Sequence, residues 1–259
     1  MIITASGSER GALRRRRESR RLWRAEVFYA AGLAAFAVLA VLAHAYAYFA
    51  WDLRLARAIQ SFDSPAWAAF MDWVSVFGNH WTPHALTVAT ALLFLAWRRR
   101  SEAFGLILST GGGSLLSQAF KALVARPRPA AELVGFAYQS REASFPSGHV
   151  IFYVCYFGFL FFAAYALLRR GTTPRRAALA LAPLPVLLVG VSRVYLRAHW
   201  PSDVLGAYLI GGVWLAASLA LYERWKRRAT FHPEEETKGS SPTVREGTAN
   251  DERGMMNDE

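Results

Sequence analysis

Three short segments combine residue types able to do chemistry: 121–129 (KALVARPRP), 146–149 (PSGH) and 192–203 (SRVYLRAHWPSD). Each lies where a long apolar run begins or ends. Cations beside a hydrocarbon phase are costly to keep, so their presence there marks a functional site. The chemistry they suit is metal-free phosphoryl transfer, which asks mainly for positioning and charge neutralisation because charge spreads over three equatorial oxygens. Lys121, Arg128 and Arg193 can face a phosphomonoester dianion. The arginine fork suits paired contacts to phosphate oxygens, and lysine acts as a point charge. Pro127 and Pro129 fix the backbone around Arg128. Arg126 and Arg141 lack such placement and read as headgroup contacts. Taken singly, each cation would be an interfacial snorkelling side chain; the clustering carries the argument.

The second segment stands directly before an apolar run. Ser147 is suited to cap a helix, whose first amides and positive dipole end attract phosphate. Gly148 lets the backbone approach the anion closely. Ser147 and the Gly148 amide read as donors to phosphate oxygens, and His149 as the acid that protonates the leaving oxygen. The plainer reading is a helix cap with an incidental histidine. In the third segment His199 and Asp203 are four apart, which places them on one helical face, and Pro201 suits a first helical turn. A carboxylate on one ring nitrogen fixes the tautomer and leaves the other free to attack. His199 therefore reads as a nucleophile forming a phosphohistidine, hydrolysed later by water, with Asp203 as its orienting partner. A simple acid at a helix start is the alternative for Asp203.

The three segments together resemble the signature of the type 2 phosphatidic acid phosphatase family. Lys121, six residues, then Arg128-Pro129 is similar to its first part, Pro146-Ser147-Gly148-His149 to its second, and Ser192-Arg193, five residues, His199, three residues, Asp203 to its third. Order and internal spacings agree, and the resemblance covers roughly residues 80–225. It implies the same nucleophile and orienting partner, His199 and Asp203. Arg197 stands where the family often has a small residue, and it bears on substrate preference.

The elements that must position these residues are membrane helices. Hydrophobic residues make up 54% of the chain, yet its net charge is +11, gathered in blocks between uncharged runs. Those runs are 27–51, 74–97, 103–120, 150–168, 177–192 and 204–222, with lengths of 25, 24, 18, 19, 16 and 19 residues. A bilayer core needs about 20 apolar residues per helix, with a range of about 17–25. Five qualify directly, and the 16-residue run is marginal. The expected fold is an all-α polytopic membrane protein of six transmembrane helices, with an interfacial helix or hairpin at 51–73, where Trp51, Trp67 and Trp73 favour the headgroup zone. Residues 1–24 are expected to be a basic cytoplasmic tail, 25–228 the membrane phosphatase domain, and 229–259 a disordered polar tail. Lys and Arg divide 22 to 8 between alternate sides, which puts both termini in the cytoplasm and the site on the periplasmic or extracellular face of the cell membrane. The N-terminal arginines serve that orientation, not nucleic-acid binding. The first run exceeds the 7–15 residues of a signal-peptide core, so it reads as an uncleaved anchor.

The remaining reactive residues read as structural. Cys155 is a small buried hydrophobe, and a lone cysteine forms no intrachain disulfide. His80 and His84 lack the Cys, Asp or Glu that would complete a metal site, so neither metal nor cofactor is expected. His44 is a hydrogen-bonded packing residue, and Gly111, Gly112 and Gly113 serve close helix packing. The expected partners are the bilayer and a lipid phosphate: phosphatidic acid, phosphatidylglycerol phosphate or undecaprenyl diphosphate. Two alternatives stand beside hydrolysis: transfer of the phosphate to another lipid, and a lipid-binding or transport protein without catalysis. A vanadate haloperoxidase has a similar anion cradle, but six spans argue against it. The oligomeric state is open.

Overall fold

The computed structural model describes residues 7–135, 140 and 142–231, with side chains from residue 26 to 228. Its helices are α1 (Gly7–Ala45), α2 (Ala50–Gln60), α3 (Pro65–Ser75), α4 (Thr82–Ala96), α5 (Arg100–Val124), α6 (Ala131–Val134), α7 (Gly148–Leu167), α8 (Thr173–Leu181), α9 (Pro183–Tyr195) and α10 (Pro201–Phe231). No strand occurs among the described residues. Arg141, expected as a headgroup contact, and the tail beyond residue 231 lie outside the described residues.

Among the described residues, four helical stretches are long and apolar enough to cross a membrane: Glu26–Ala45, Gly148–Leu167, Thr173–Tyr195 and Pro201–Arg228. The marginal fifth run is extended by α8, so α8 and α9 together make one stretch of 23 residues. The other two expected spans differ in kind. Pro83 in the first turn starts α4 at Thr82, which leaves an apolar helix of only 15 residues. The 25 residues of α5 are long enough, but Ser, Thr, Gln and Lys side chains interrupt its apolar face.

The central element is α7, packed against α5, α9 and α10. Its sequence is apolar all round, as a helix surrounded by others requires. Close approach depends on small residues on its neighbours. A Cβ on Gly112 would lie 2.1 Å from the Trp214 ring, and one on Gly113 would lie 2.8 Å from Cys155 Sγ. These two glycines are therefore packing positions, whereas Gly111 lines a cavity. Cys155 is buried in the core, and His44 bonds the Val124 carbonyl through Nδ1 at 3.1 Å. At the opposite end of α5 from Lys121, Glu102 pairs with Lys226 of α10 at 2.6 Å. The segment expected at the interface is a pair of short helices, α2 and α3, both packed on α9, with Trp51 and Trp73 exposed.

Candidate active site

At its C-terminal end α5 stops in a left-handed turn at Ala125 (φ 49°), whose amide bonds the Lys121 carbonyl. This turn, followed by the Pro127 and Pro129 brackets, sends the two arginines of the segment to different places. Arg128 reaches the cavity. Its Nη1 donates to the Ala198 carbonyl at 2.7 Å and approaches His199 Nε2 at 3.4 Å, while Nε donates to the Glu142 carbonyl at 3.0 Å.

Arg126 turns inward, and this corrects the expectation of a headgroup contact. It is 1% exposed. Its Nη1 donates to Asp203 Oδ1 at 2.7 Å and Ser202 Oγ at 2.6 Å, and its Nη2 to Asp52 Oδ2 at 3.0 Å. A guanidinium beside two buried carboxylates is held where a lipid-facing one would be free to move. Asp52, from the first turn of α2, also accepts from the Ser202 amide at 2.8 Å and hydroxyl at 2.7 Å. The short interfacial helix is thereby tied to the start of α10.

His199 precedes α10, and Asp203 lies in its first turn. The two are not directly bonded: Nδ1 and Oδ2 are 3.6 Å apart, beyond hydrogen-bond length. The carboxylate is already engaged. Asp203 Oδ2 accepts from the Ser144 hydroxyl at 2.5 Å and from the Trp200 amide at 2.8 Å. Ser144 Oγ in turn lies 3.4 Å from His199 Nδ1, so a hydroxyl stands between the pair that the sequence joins directly. Burial holds the His199 pKa well below the ordinary imidazole value. Arg128, Arg193 and Lys121 push the same way, against a hydrogen bond to the Ser144 backbone. The ring is neutral at neutral pH, the state a nucleophile needs.

Across the cavity, Gly148 and His149 open α7 after a cis Phe145–Pro146 peptide. Ser147 occupies the N-cap position but makes no side-chain cap bond; its Oγ is buried with no hydrogen-bond partner among the described residues. It is also absent from the cavity wall, unlike Gly148. His149 Nε2 lies 2.8 Å from Asn79 Oδ1; an amide oxygen accepts, so Nε2 carries the hydrogen. Gly78 is what lets the histidine sit there, since a Cβ on it would meet the ring at 2.2 Å. Arg193, buried at the end of α9, donates to Ser75 Oγ at 3.2 Å. Lys121 is paired with the Glu142 carboxylate, which it holds below the usual carboxylate pKa. Arg197, in a left-handed conformation (φ 60°), donates to the Val134 carbonyl at 2.8 Å and does not line the cavity.

The cavity measures about 780 Å³, and Lys121, Arg128, Gly148, His149, Arg193 and His199 all line it. Six of the eight residues singled out for chemistry thus meet in one space; Asp203 stands behind His199 and Ser147 behind Gly148. Sequence reasoning missed Ser144, Asp52, Asn79 and Glu142. Asp52 had a faint signal, as the first acid after the first apolar run. The others sit in connecting segments with nothing in residue type to mark them. His80 and His84 also reach the cavity wall.

An apolar helical bundle that gathers two histidines and three cations into one cavity has the parts to hold a phosphate group. Residues 102–227 match the family model of the PAP2 superfamily. The chain is 25% identical to phosphatidylglycerophosphatase B of Bacillus subtilis over 178 residues, which cover 68% of this chain and 85% of that one. It is 30% identical to an undecaprenyl-diphosphatase of Sulfolobus acidocaldarius over 152 residues, 56% of this chain and 66% of the relative. Its fold is similar to the crystal structure of a transmembrane PAP2-type phosphatidylglycerolphosphate phosphatase from Bacillus subtilis, with a TM-score of 0.65 at 25% identity, covering 77% of this chain and 98% of the other. The Aquifex aeolicus LpxE structure matches at TM-score 0.52 and 27% identity, over 66% of this chain and 96% of that one.

Proposed function

We propose that the protein is a metal-independent lipid phosphate phosphatase working through a phosphohistidine on His199. The observation that carries this is the buried His199 with Nε2 beside Arg128, in one cavity with Lys121, Arg193 and His149. The three cations hold the phosphoryl oxygens, and the Gly148 amide adds a donor at the start of α7. His199 Nε2 attacks phosphorus, the bond to the lipid oxygen breaks, and His149 gives that oxygen its proton. A water then attacks the phosphohistidine and passes a proton to His149, which releases phosphate and restores both histidines. Asp203 acts through Ser144 in this scheme, holding the segment to which His199 is bonded.

The substrates considered are phosphatidic acid, phosphatidylglycerol phosphate and undecaprenyl diphosphate. The fold reading is six spans, with α4 and α5 added to the four stretches of sufficient length and apolarity. Both termini are placed in the cytoplasm by the charge split, and the site on the outer face of the cell membrane. The polar segments at the two ends serve as cytoplasmic tails.

Phosphate release from a panel of these lipids in detergent tests the activity, with and without lipid acceptors to separate hydrolysis from transfer. Acid-labile, base-stable label on the protein after rapid quenching is expected with wild type and absent from His199→Ala. Turnover should survive EDTA and be inhibited by vanadate. Full loss on chelation, restored by one metal, would overturn the mechanism.

A further inference from the structure

Hydroxyls on the packed helices of this chain commonly bond a carbonyl one turn back on their own helix. Thr87 donates to the Pro83 carbonyl at 2.8 Å, Thr110 to Leu106 at 2.9 Å and Ser218 to Trp214 at 2.8 Å. A helix hydroxyl away from water satisfies itself this way without help from another element. Ser117 of α5 departs from that pattern. It is 4% exposed, and its Oγ has no hydrogen-bond partner among the described residues. A buried polar group without a partner is costly, and one in a cavity wall points to something that the cavity takes in. Ser117 lies in that wall; Ser147, whose Oγ is likewise buried and unpartnered among the described residues, does not.

The position of the hydroxyl indicates what it meets. Ser117 precedes Lys121 by four positions, so the two share one face of α5. Both converge on Gly148 in the first turn of α7. A Cβ on Gly148 would lie 3.2 Å from Ser117 Oγ and 3.8 Å from Lys121 Nζ. The missing Cβ leaves a gap bounded by a hydroxyl, an ammonium and the start of a helix, three groups that suit an oxyanion. Charge agrees: Lys121, Arg128 and Arg193 line the cavity, and Glu142 is the one acid in its wall among the described residues. What a serine offers an anion is its hydrogen, and here no protein acceptor among the described residues takes it.

We propose that Ser117 is a further phosphate-binding residue, donating its hydroxyl hydrogen to a phosphoryl oxygen held between Lys121 and Gly148. It stands outside the three segments that carry the rest of the site. The inference rests on the phosphatase reading above. The oxygen it holds belongs to the transferring group, so the contact does not depend on the lipid to which the phosphate is attached.

The test uses Ser117→Ala in the purified full-length protein. Ser218→Ala is the control, because it removes a buried hydroxyl already bonded within α10. Ser117→Ala should lower kcat/KM on phosphatidic acid and on phosphatidylglycerol phosphate equally, by about tenfold or more, the scale of one hydrogen bond to a charged group. Inorganic vanadate, standing in for the transferring group, should be needed at about tenfold higher concentration to inhibit the variant. Binding is also read without turnover. Vanadate should raise the melting temperature of wild type in detergent, and the variant should need about tenfold more for the same rise. Without vanadate the variant should melt no lower than wild type, because the change deletes a buried hydroxyl that has no partner. Ser218→Ala should keep turnover and vanadate inhibition within about twofold of wild type. Unchanged vanadate affinity, or a loss confined to one lipid, would overturn the role of Ser117 and leave the phosphatase reading intact. So would a variant that fails to fold or melts well below wild type, which would make Ser117 a packing residue. Release from no lipid by wild type, with no response to vanadate, would overturn both.

Discussion

Replacing Arg126 by methionine should be among the most destabilising single changes in this chain. The substitution keeps a long flexible side chain but leaves Asp52 and Asp203, both fully buried, without their shared cation. Five hydrogen bonds disappear with it: to Tyr46 O at 3.3 Å, Ala47 O at 3.1 Å, Ser202 Oγ at 2.6 Å, Asp203 Oδ1 at 2.7 Å and Asp52 Oδ2 at 3.0 Å. Breaking a buried ion pair from one side costs about 3–5 kcal/mol. For a chain of this size that corresponds to a fall in melting temperature of about 6–20 °C. Arg54→Met, at an exposed position of the neighbouring α2, is the control, expected within about 0.5 kcal/mol of wild type. Thermal unfolding in detergent, followed by tryptophan fluorescence, measures both. Adding Asp52→Asn to Arg126→Met should recover part of the loss, because one uncompensated charge is removed. Should Arg126→Met melt no lower than Arg54→Met, the buried network would not be what ties α2 to α10.

His149→Ala should lose about 10²–10⁴-fold on a lipid phosphate but much less on p-nitrophenyl phosphate, provided it is accepted, since nitrophenolate leaves without a proton. Equal losses would make His149 a phosphate-binding group instead. The acid limb of kcat/KM set by His199 should fall below the ordinary imidazole value of about 6.5, because burial and three cations disfavour its protonated form. Arg128→Gln removes one of those cations, so the limb should move upward in pH as well as the rate falling; an unmoved limb in a pH series would detach His199 from it. The same sign governs folding: between the folded pKa and about 6.5 the unfolded chain binds more protons, so stability should decline as pH drops through that window. Gly112→Ala should cost about 1–3 kcal/mol by overpacking, because its Cβ would fall 2.1 Å from the Trp214 ring. Gly212→Ala, with nothing within 4 Å, should not destabilise in the same melting assay.

The residues that line the cavity were legible because chemistry restricts them. A lysine, two arginines and two histidines at helix ends have few other reasons to recur at fixed spacings, and the structure brings these five to one cavity. The helix starts were legible for a similar reason, as Pro201 opens α10 and Gly148 opens α7. Contacts between distant segments were not. Arg126 and Arg128 are two positions apart with alike neighbours, and only the left-handed turn at Ala125 sends one into the scaffold and the other into the cavity. Ser144 stands between His199 and Asp203 because the loop before α7 folds back on the start of α10, a packing event without a local pattern. The α4 run reads as long enough to span because hydropathy counts residues 74–81, which belong to the end of α3, a single 3-10 turn and a bend before α4 begins.

The shortness of α4 has a consequence for the bilayer itself. Fifteen helical residues reach about 22 Å, against a hydrocarbon core of about 30 Å. With α4 crossing as proposed, the deficit falls at the end where Asn79 and His80 line the cavity and Trp81 stands exposed, a residue type that settles at the membrane–water boundary. Hydrophobic mismatch of this kind is met by local thinning of the lipid. The leaflet on the side of the cavity should therefore dip beside α4, lowering headgroups to the level of the opening. A lipid drifting past would present its phosphate to the cavity sideways, with its tails still in the leaflet, and the dimple would keep water within reach of the proposed phosphohistidine.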